Sequence, residues 1–181
     1  MSARFQTRKW RRLDEPGLEV LHVRLEPDGI LACSTVVHAG AEAFGMSYLW
    51  RLDRDWRTRR LELRLSGPSA ETLRIERCDG SWQVNGRRRP DLAECEEIDL
   101  SATPFCNTLA LRRLRGTGEL TTLYVDLPSL QLSPSRQRYT ALGGNRWKYT
   151  DLGIAKGFEA NLDVDDEGLI LAYEGLFETL E

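Results

Sequence analysis

Residues 18–32 read LEVLHVRLEPDGILA, and the period of this stretch points to the fold class. Leu21, Val23 and Leu25 fall on one side of an extended chain, with His22, Arg24 and Glu26 on the other. Such alternation marks a half-buried strand, because successive side chains of a strand point to opposite faces of its sheet. Pro27-Asp28-Gly29 breaks the run, and Ile30 onward reads as the returning strand. The Asp-Gly pair is expected to make the turn by supplying positive φ at low cost.

The same grammar recurs on both sides of this hairpin. Phe44 to Leu52 is a strand rich in aromatic and apolar residues, followed by an Asp53-Arg54-Asp55 corner. Trp56 to Leu65 then sets Leu61, Leu63 and Leu65 against Arg60, Glu62 and Arg64. Leu73 and Ile75 alternate with Arg74 and Glu76, and two tight turns, Asp79-Gly80 and Asn85-Gly86, bound Trp82-Gln83-Val84. Turns so close together require short hairpin strands. Arg87 to Pro90 reads as a solvated loop and Glu94 to Leu100 as a short extended segment; Phe105 to Leu114, with a less clear period, reads as strand or helix, the strand with a turn before it being favoured. Further strands follow at Leu120–Leu127, around Tyr139 and at Trp147–Tyr149. Two closing strands, from Phe158 to Val164 and from Leu169 to Phe177, flank the Asp166-Glu167-Gly168 turn. Roughly ten or more strands at about 8–12-residue spacing predict an all-β, mostly antiparallel barrel, half-barrel or strongly curved sheet with few short helices. No repeat, low-complexity tract or long linker divides the chain, so a single domain over 1–181 is expected.

Composition narrows the function classes. The chain has 181 residues, 41% hydrophobic and 29% charged, with a formal net charge of −3. That balance excludes a general polyanion binder, which needs a strongly basic surface. The N-terminal MSARFQTRKWRRLDEPG has basic residues but no apolar region after them, and no window approaches the ~18 apolar residues of a membrane span. These features predict a cytoplasmic protein. Cys33, Cys78, Cys95 and Cys106 form no CxxC pair, so they read as reduced thiols and not as a zinc site.

Three places invite a chemical reading. Trp56-Arg57-Thr58-Arg59 puts two guanidinium groups on one strand face, either as forks for a phosphate or carboxylate or as an exposed pair beside Asp53 and Asp55. Asp99 to Leu109, DLSATPFCNTL, is the least ordinary stretch. Cys106 within it is either a nucleophile or part of a turn capped by Ser101, Thr103 and Asn107. The acidic DVDDEG run at 163–168 lacks calcium-loop spacing and reads as a hairpin turn. No catalytic residue, metal site or cofactor follows from these motifs. Five tryptophans and five tyrosines either fill the core or line a cleft for acyl chains or sugar rings.

Trp10 with LEVLHVRLEPDGILA (18–32), YLWRLDRDWRTRRLEL (48–63), GSWQVNGRRRPDLAECEEIDLSATPFCNTLALRRL (80–114) and FEANLDVDDEGLILAYEGLF (158–177) occur in a distinctive order. In these segments the chain resembles the bacterial family named Putative glycolipid-binding, first catalogued as a domain of unknown function. The resemblance implies an all-β curved sheet or half-barrel with an open cleft, similar to that of bacterial lipoprotein carriers, and a lipid or glycolipid as the ligand. By motif it carries over Trp56, Arg57, Arg59, Asn107, Arg112 and Arg113 as ligand-binding residues. Acyl chains would lie in an apolar cleft, with the arginines and Asn107 on a phosphate or sugar at its mouth. Ala110 departs from the family pattern, which has proline there. Two alternatives stand beside non-enzymatic binding. One is an enzyme acting on a small amphipathic or anionic substrate at the Asn107/Arg112 region, which requires a titratable group with a shifted pKa there. The other is an interaction module using a sheet edge or apolar patch.

Overall fold

The computed structural model describes residues 4–67 and 70–181. As far as these go, the chain forms two compact units: residues up to Arg11, Glu15–Ala93 and Leu180–Glu181 in the first, Arg12–Asp14 and Glu94–Thr179 in the second.

The first unit is an antiparallel meander. Its strands are β1 (Arg4–Arg12), β2 (Gly17–Glu26), β3 (Gly29–His38), β4 (Phe44–Leu52), β5 (Thr58–Ser66), β6 (Thr72–Cys78), β7 (Ser81–Val84) and β8 (Arg87–Arg88). Each pairs with the next. The period-two pattern is realised as burial: Leu21, Val23, Leu61, Leu63, Leu73 and Ile75 are buried, together with Trp10, Trp50 and Trp82. Burying a large apolar side chain contributes about 1.5–3 kcal/mol, so each of these residues contributes measurably to the unit's cohesion. Where a polar group is drawn in, it finds a partner. The Trp50 indole N–H donates to Thr58 Oγ1 at 2.7 Å, and buried Glu19 accepts from Ser34 Oγ at 2.6 Å and from the Tyr48 hydroxyl at 2.9 Å.

The turns differ in mechanism. Asp79-Gly80 and Asn85-Gly86 both have two residues at positive φ, as their sequences predict. In the Pro27-Asp28 turn neither Asp28 nor Gly29 has positive φ, contrary to expectation. Gly29 is needed for another reason: a Cβ there would lie 2.3 Å from the Leu52 carbonyl oxygen of β4. Arg87–Arg88, expected in a loop, form a two-residue exposed strand at the edge of the unit.

The second unit holds β9 (Glu97–Leu100), α1 (Phe105–Leu114), β10 (Gly118–Val125), β11 (Leu132–Gly143), β12 (Arg146–Asp151), β13 (Glu159–Val164), β14 (Ile170–Tyr173) and β15 (Phe177–Thr179). From β10 to β15 neighbours in sequence pair antiparallel. Of the two readings open for residues 105–114 the structure shows the helix and not the favoured strand, and β9 and β10, which α1 connects, run parallel. The reason the pattern misleads is that Phe105 to Leu111 are all buried. A helix buried on every side carries no polar stripe, so its 3.6-residue period does not show. Ala110 lies in its interior, where a proline would remove a backbone hydrogen bond. The expected last strand, Leu169 to Phe177, is broken at Glu174-Gly175-Leu176 into β14 and β15. There Gly175 has φ 74° and Tyr173 faces Phe177 across the ladder.

The fold is therefore all-β and mostly antiparallel, as its periodicity predicts, with one α-helix among the described residues. Among the described residues no helix is long and apolar enough to cross a membrane.

Candidate functional site

The second unit contains a cavity of about 240 Å³. Ladder register builds it. On β11 and β12, Gln137 faces Asp151 and Tyr139 faces Tyr149; on β9 and β10, Asp99 faces Tyr124; β14 ends at Tyr173, opposite Phe177. Because i and i+2 share a face, Tyr149 and Asp151 of β12 are presented together. The lining has an acidic and amide part, Asp99, Asn107 and Asp151, and a ring part, Tyr124, Tyr149, Tyr173, Phe158 and Phe177. Ser101, Thr103 and a few aliphatic groups complete it.

Tyr149, Phe158, Tyr173 and Phe177 form one ring cluster, joined by Tyr139 behind them. Tyr149 stands edge-on to Tyr139 at 5.4 Å and to Tyr173 at 5.8 Å between centroids, and Tyr173 meets Phe177 at 6.4 Å. Such contacts add about 0.5–1.5 kcal/mol each beyond area burial and hold the ring faces in fixed directions.

A hydrogen-bond chain runs behind the lining. The Tyr139 hydroxyl lies 2.8 Å from Asn107 Oδ1 and 3.1 Å from Gln137 Oε1, and Gln137 Nε2 donates to Asp99 Oδ2 at 2.6 Å. The Tyr149 hydroxyl donates to Asp151 Oδ2 at 3.1 Å, and the Gly153 N–H donates to Asp151 Oδ1 at 2.7 Å. Asn107 is 6% exposed, and its amide nitrogen makes one long bond of 3.4 Å to the Pro104 carbonyl. An amide nitrogen has two hydrogens, so donor capacity is left over at the lining.

Burial pushes the Asp99 carboxyl up to about 6; the charge of Asp151 adds to the rise, while hydrogen bonds from Gln137 and Cys106 act against it. Asp99 retains partial accessible surface, as a lining residue does, yet protein surrounds it closely enough for desolvation to dominate. Burial likewise raises the pKa of Tyr124, Tyr149 and Tyr173, which therefore remain protonated hydroxyls at neutral pH.

Of the six residues carried over by motif, Asn107 lines this cavity. Arg112 and Arg113, on the same helix, turn to its surroundings. Arg112 donates to the Glu167 carbonyl in the β13–β14 turn, and Arg113 pairs with Glu96 at 3.2 Å. Trp56, Arg57 and Arg59 belong to the first unit. Trp56 was expected on a strand face with Thr58; it instead precedes β5, in the corner, at φ 62°. Arg57 is exposed, and Arg59 pairs with Asp53 at 3.1 Å.

In the DLSATPFCNTL stretch Thr103 makes the expected local turn bond, whereas Ser101 reaches a distant segment and the helix that follows has no side-chain cap. The Phe105 N–H donates to Thr103 Oγ1 at 3.2 Å and the Leu127 N–H to Ser101 Oγ at 3.0 Å. Cys106 is a buried reduced cysteine whose sulfur accepts from the Leu100 N–H at 3.0 Å. In the DVDDEG run Asp165 Oδ1 accepts from the N–H groups of Glu167 and Leu169 at 2.9 and 2.8 Å, as in an ordinary turn. Among the described residues no group of three or more His, Cys, Asp or Glu side chains is placed to hold a metal ion.

The aromatics divide by type. Trp10, Trp50 and Trp82 fill the core of the first unit, while three of the five tyrosines line the cavity of the second. Tyr124, Tyr149, Asp151 and Tyr173 were not singled out by motif, because they come from three separate strands and only register joins them. The one available signal was the alternation Trp147, Tyr149, Asp151, which places a carboxylate on the same face as two rings.

The model of the family described as Putative glycolipid-binding matches residues 7–179. The chain belongs to that family. Its structure is similar to the crystal structure of a DUF1089 family protein from Pseudomonas aeruginosa, with a TM-score of 0.80 and 32% sequence identity over 91% of this chain and 92% of that one. No curated protein matches the chain.

Proposed function

We propose that this member of the family binds a glycolipid without altering it, and that the cavity of the second unit receives the polar head. The observation that carries the reading is the combination of fixed ring faces with hydrogen-bonding groups in one cavity of about 240 Å³. Sugar rings present both apolar C–H faces and hydroxyls, so they match a site with both kinds of wall. The volume lies below the ~300–1,000 Å³ typical of sites for drug-sized ligands, which suits a head group and not a whole lipid. Asn107 is in this reading a ligand contact, while Arg112 and Arg113 hold the turn and loop around it. Trp56, Arg57 and Arg59, in the first unit, do not enter it.

The test is native mass spectrometry of the purified full chain, followed by solvent extraction and lipid analysis. A stoichiometric sugar-bearing lipid is the expected result. A protein that arrives empty and takes up no member of a glycolipid panel would refute the reading.

One observation favours an enzyme as the second reading. Asp99, near 6, shares a cavity with a second carboxylate, Asp151, and a carboxyl raised towards neutral pH in a pocket suits general acid–base chemistry. Release of free sugar from a chromogenic glycoside, abolished by Asp99→Asn and with a pH limb near 6, would establish it.

A further inference from the structure

The charge of the pocket selects among possible head groups. Asp99 and Asp151 both line it, and among the described residues its lining includes no lysine, arginine or histidine. The guanidinium groups close by are engaged elsewhere, and Lys156, next to the lining residue Ala155, is exposed and is not itself part of the lining. Arg12 lies with its guanidinium carbon 5.5 Å from the centre of the Phe177 ring, but it is bound through two nitrogens to Asp14 at 2.7 and 2.9 Å. Arg112 donates to the Glu167 carbonyl and Arg113 is paired with Glu96. A ligand carboxylate or phosphate placed here would meet two carboxylates at reduced dielectric with no counter-charge in the lining, and like charges a few Å apart repel strongly under those conditions. A hydroxyl placed here would donate to a carboxylate oxygen, a charge-assisted bond stronger than one between neutral groups. The spare N–H of Asn107 would serve a ring or hydroxyl oxygen, and Tyr149 and Tyr173 offer flat apolar faces.

We infer that this pocket, if it is the head-group site proposed above, accepts an uncharged sugar ring and rejects an anionic one. The selection is pH-dependent. The titratable groups facing Asp99 are Cys106 on α1, Tyr124 on β10, Tyr139 on β11, Tyr149 and Asp151 on β12, and Tyr173 on β14. Burial keeps the four tyrosines protonated, so they add no charge near neutral pH. Asp99, at about 6, gains its proton as the solution is acidified and its repulsion of an anion disappears.

Octyl β-glucoside and octyl β-glucuronide, which share one tail and differ by a carboxylate on the ring, separate the possibilities. Both are titrated calorimetrically as monomers into the full chain at pH 8 and pH 5, with Asn107→Ala as the site control. The expected result is glucoside binding at least about tenfold tighter at pH 8, equivalent to about 1.4 kcal/mol. The gap should narrow at pH 5, and Asp99→Asn should narrow it at pH 8. If the glucuronide binds as tightly or more tightly at pH 8, and Asn107→Ala weakens both, the head-group site stands and the charge selection is wrong. If neither probe binds, or Asn107→Ala affects neither, the head-group site itself is wrong and the selection falls with it.

Discussion

Asp99 shows how one residue's surroundings set its chemistry. A carboxyl with an ordinary value of 3.8 is carried to about 6 by burial and by Asp151, so the folded state holds its proton more tightly than the unfolded chain. The stability linked to that proton is fully present below about pH 4 and is lost as pH rises through about 6. Each pH unit between the two values is worth about 1.4 kcal/mol, which gives on the order of 2 kcal/mol once water in the pocket screens part of it. Asp99→Asn keeps an oxygen for the Gln137 amide and removes the charge. Denaturant unfolding at pH 8 should then show a variant more stable than the parent by about that amount, with a flatter profile between pH 4 and pH 6. Tyr139→Phe tests the adjoining link. Its hydroxyl joins Asn107 to Gln137 inside the protein, and leaving buried polar partners unmatched costs about 1–3 kcal/mol. Loss of that stability should be accompanied by weaker glucoside binding, because Asn107 loses the bond that holds its amide in place.

At the scale of the element, local pattern and tertiary role sometimes disagree. The β2–β3 hairpin forms where alternation and a turn sequence predict it, but its glycine answers to β4 and not to the turn. Gly29→Ala would drive a methyl into the Leu52 carbonyl, so β3 and β4 would have to separate locally. The expected cost is about 1–3 kcal/mol in chemical denaturation, as for other overpacked sites. Gly80→Ala, in a turn where a Cβ meets open space but φ is 75°, isolates the purely conformational cost for comparison. Helix α1 is the converse case. Its seven buried residues in a row conceal its period, and Thr103 and Pro104 at its start read equally well as a turn before a strand. The helix becomes recognisable once the strands against which it packs are in place.

At the scale of the whole molecule, ligand binding should appear as added stability. A ligand that binds only the folded state at a hundred times its Kd contributes about 2.7 kcal/mol, several degrees in midpoint for a chain of this size. Octyl β-glucoside below its micellar concentration should raise the thermal midpoint in proportion to the logarithm of its concentration. Inorganic phosphate at equal ionic strength should leave it unchanged, since the cavity lining offers an anion no counter-charge.

Alternation along β2, β4, β5 and β6 was enough to predict an all-β antiparallel fold, because a strand's two faces are written directly into every second residue. The ordered motifs carried the family, and the stretch from Asp99 to Leu109 was recognisable as unusual before its role was. The cavity was not legible in the same way. Asp99, Tyr124, Tyr149, Asp151 and Tyr173 lie on four strands spread over some 75 residues, and each is unremarkable in its own segment. Ladder register brings them together, and burial then converts an ordinary aspartate into a group that titrates near 6. Periodicity is a local property that the chain carries unfolded; a pocket and its electrostatics are made by neighbours that only folding supplies.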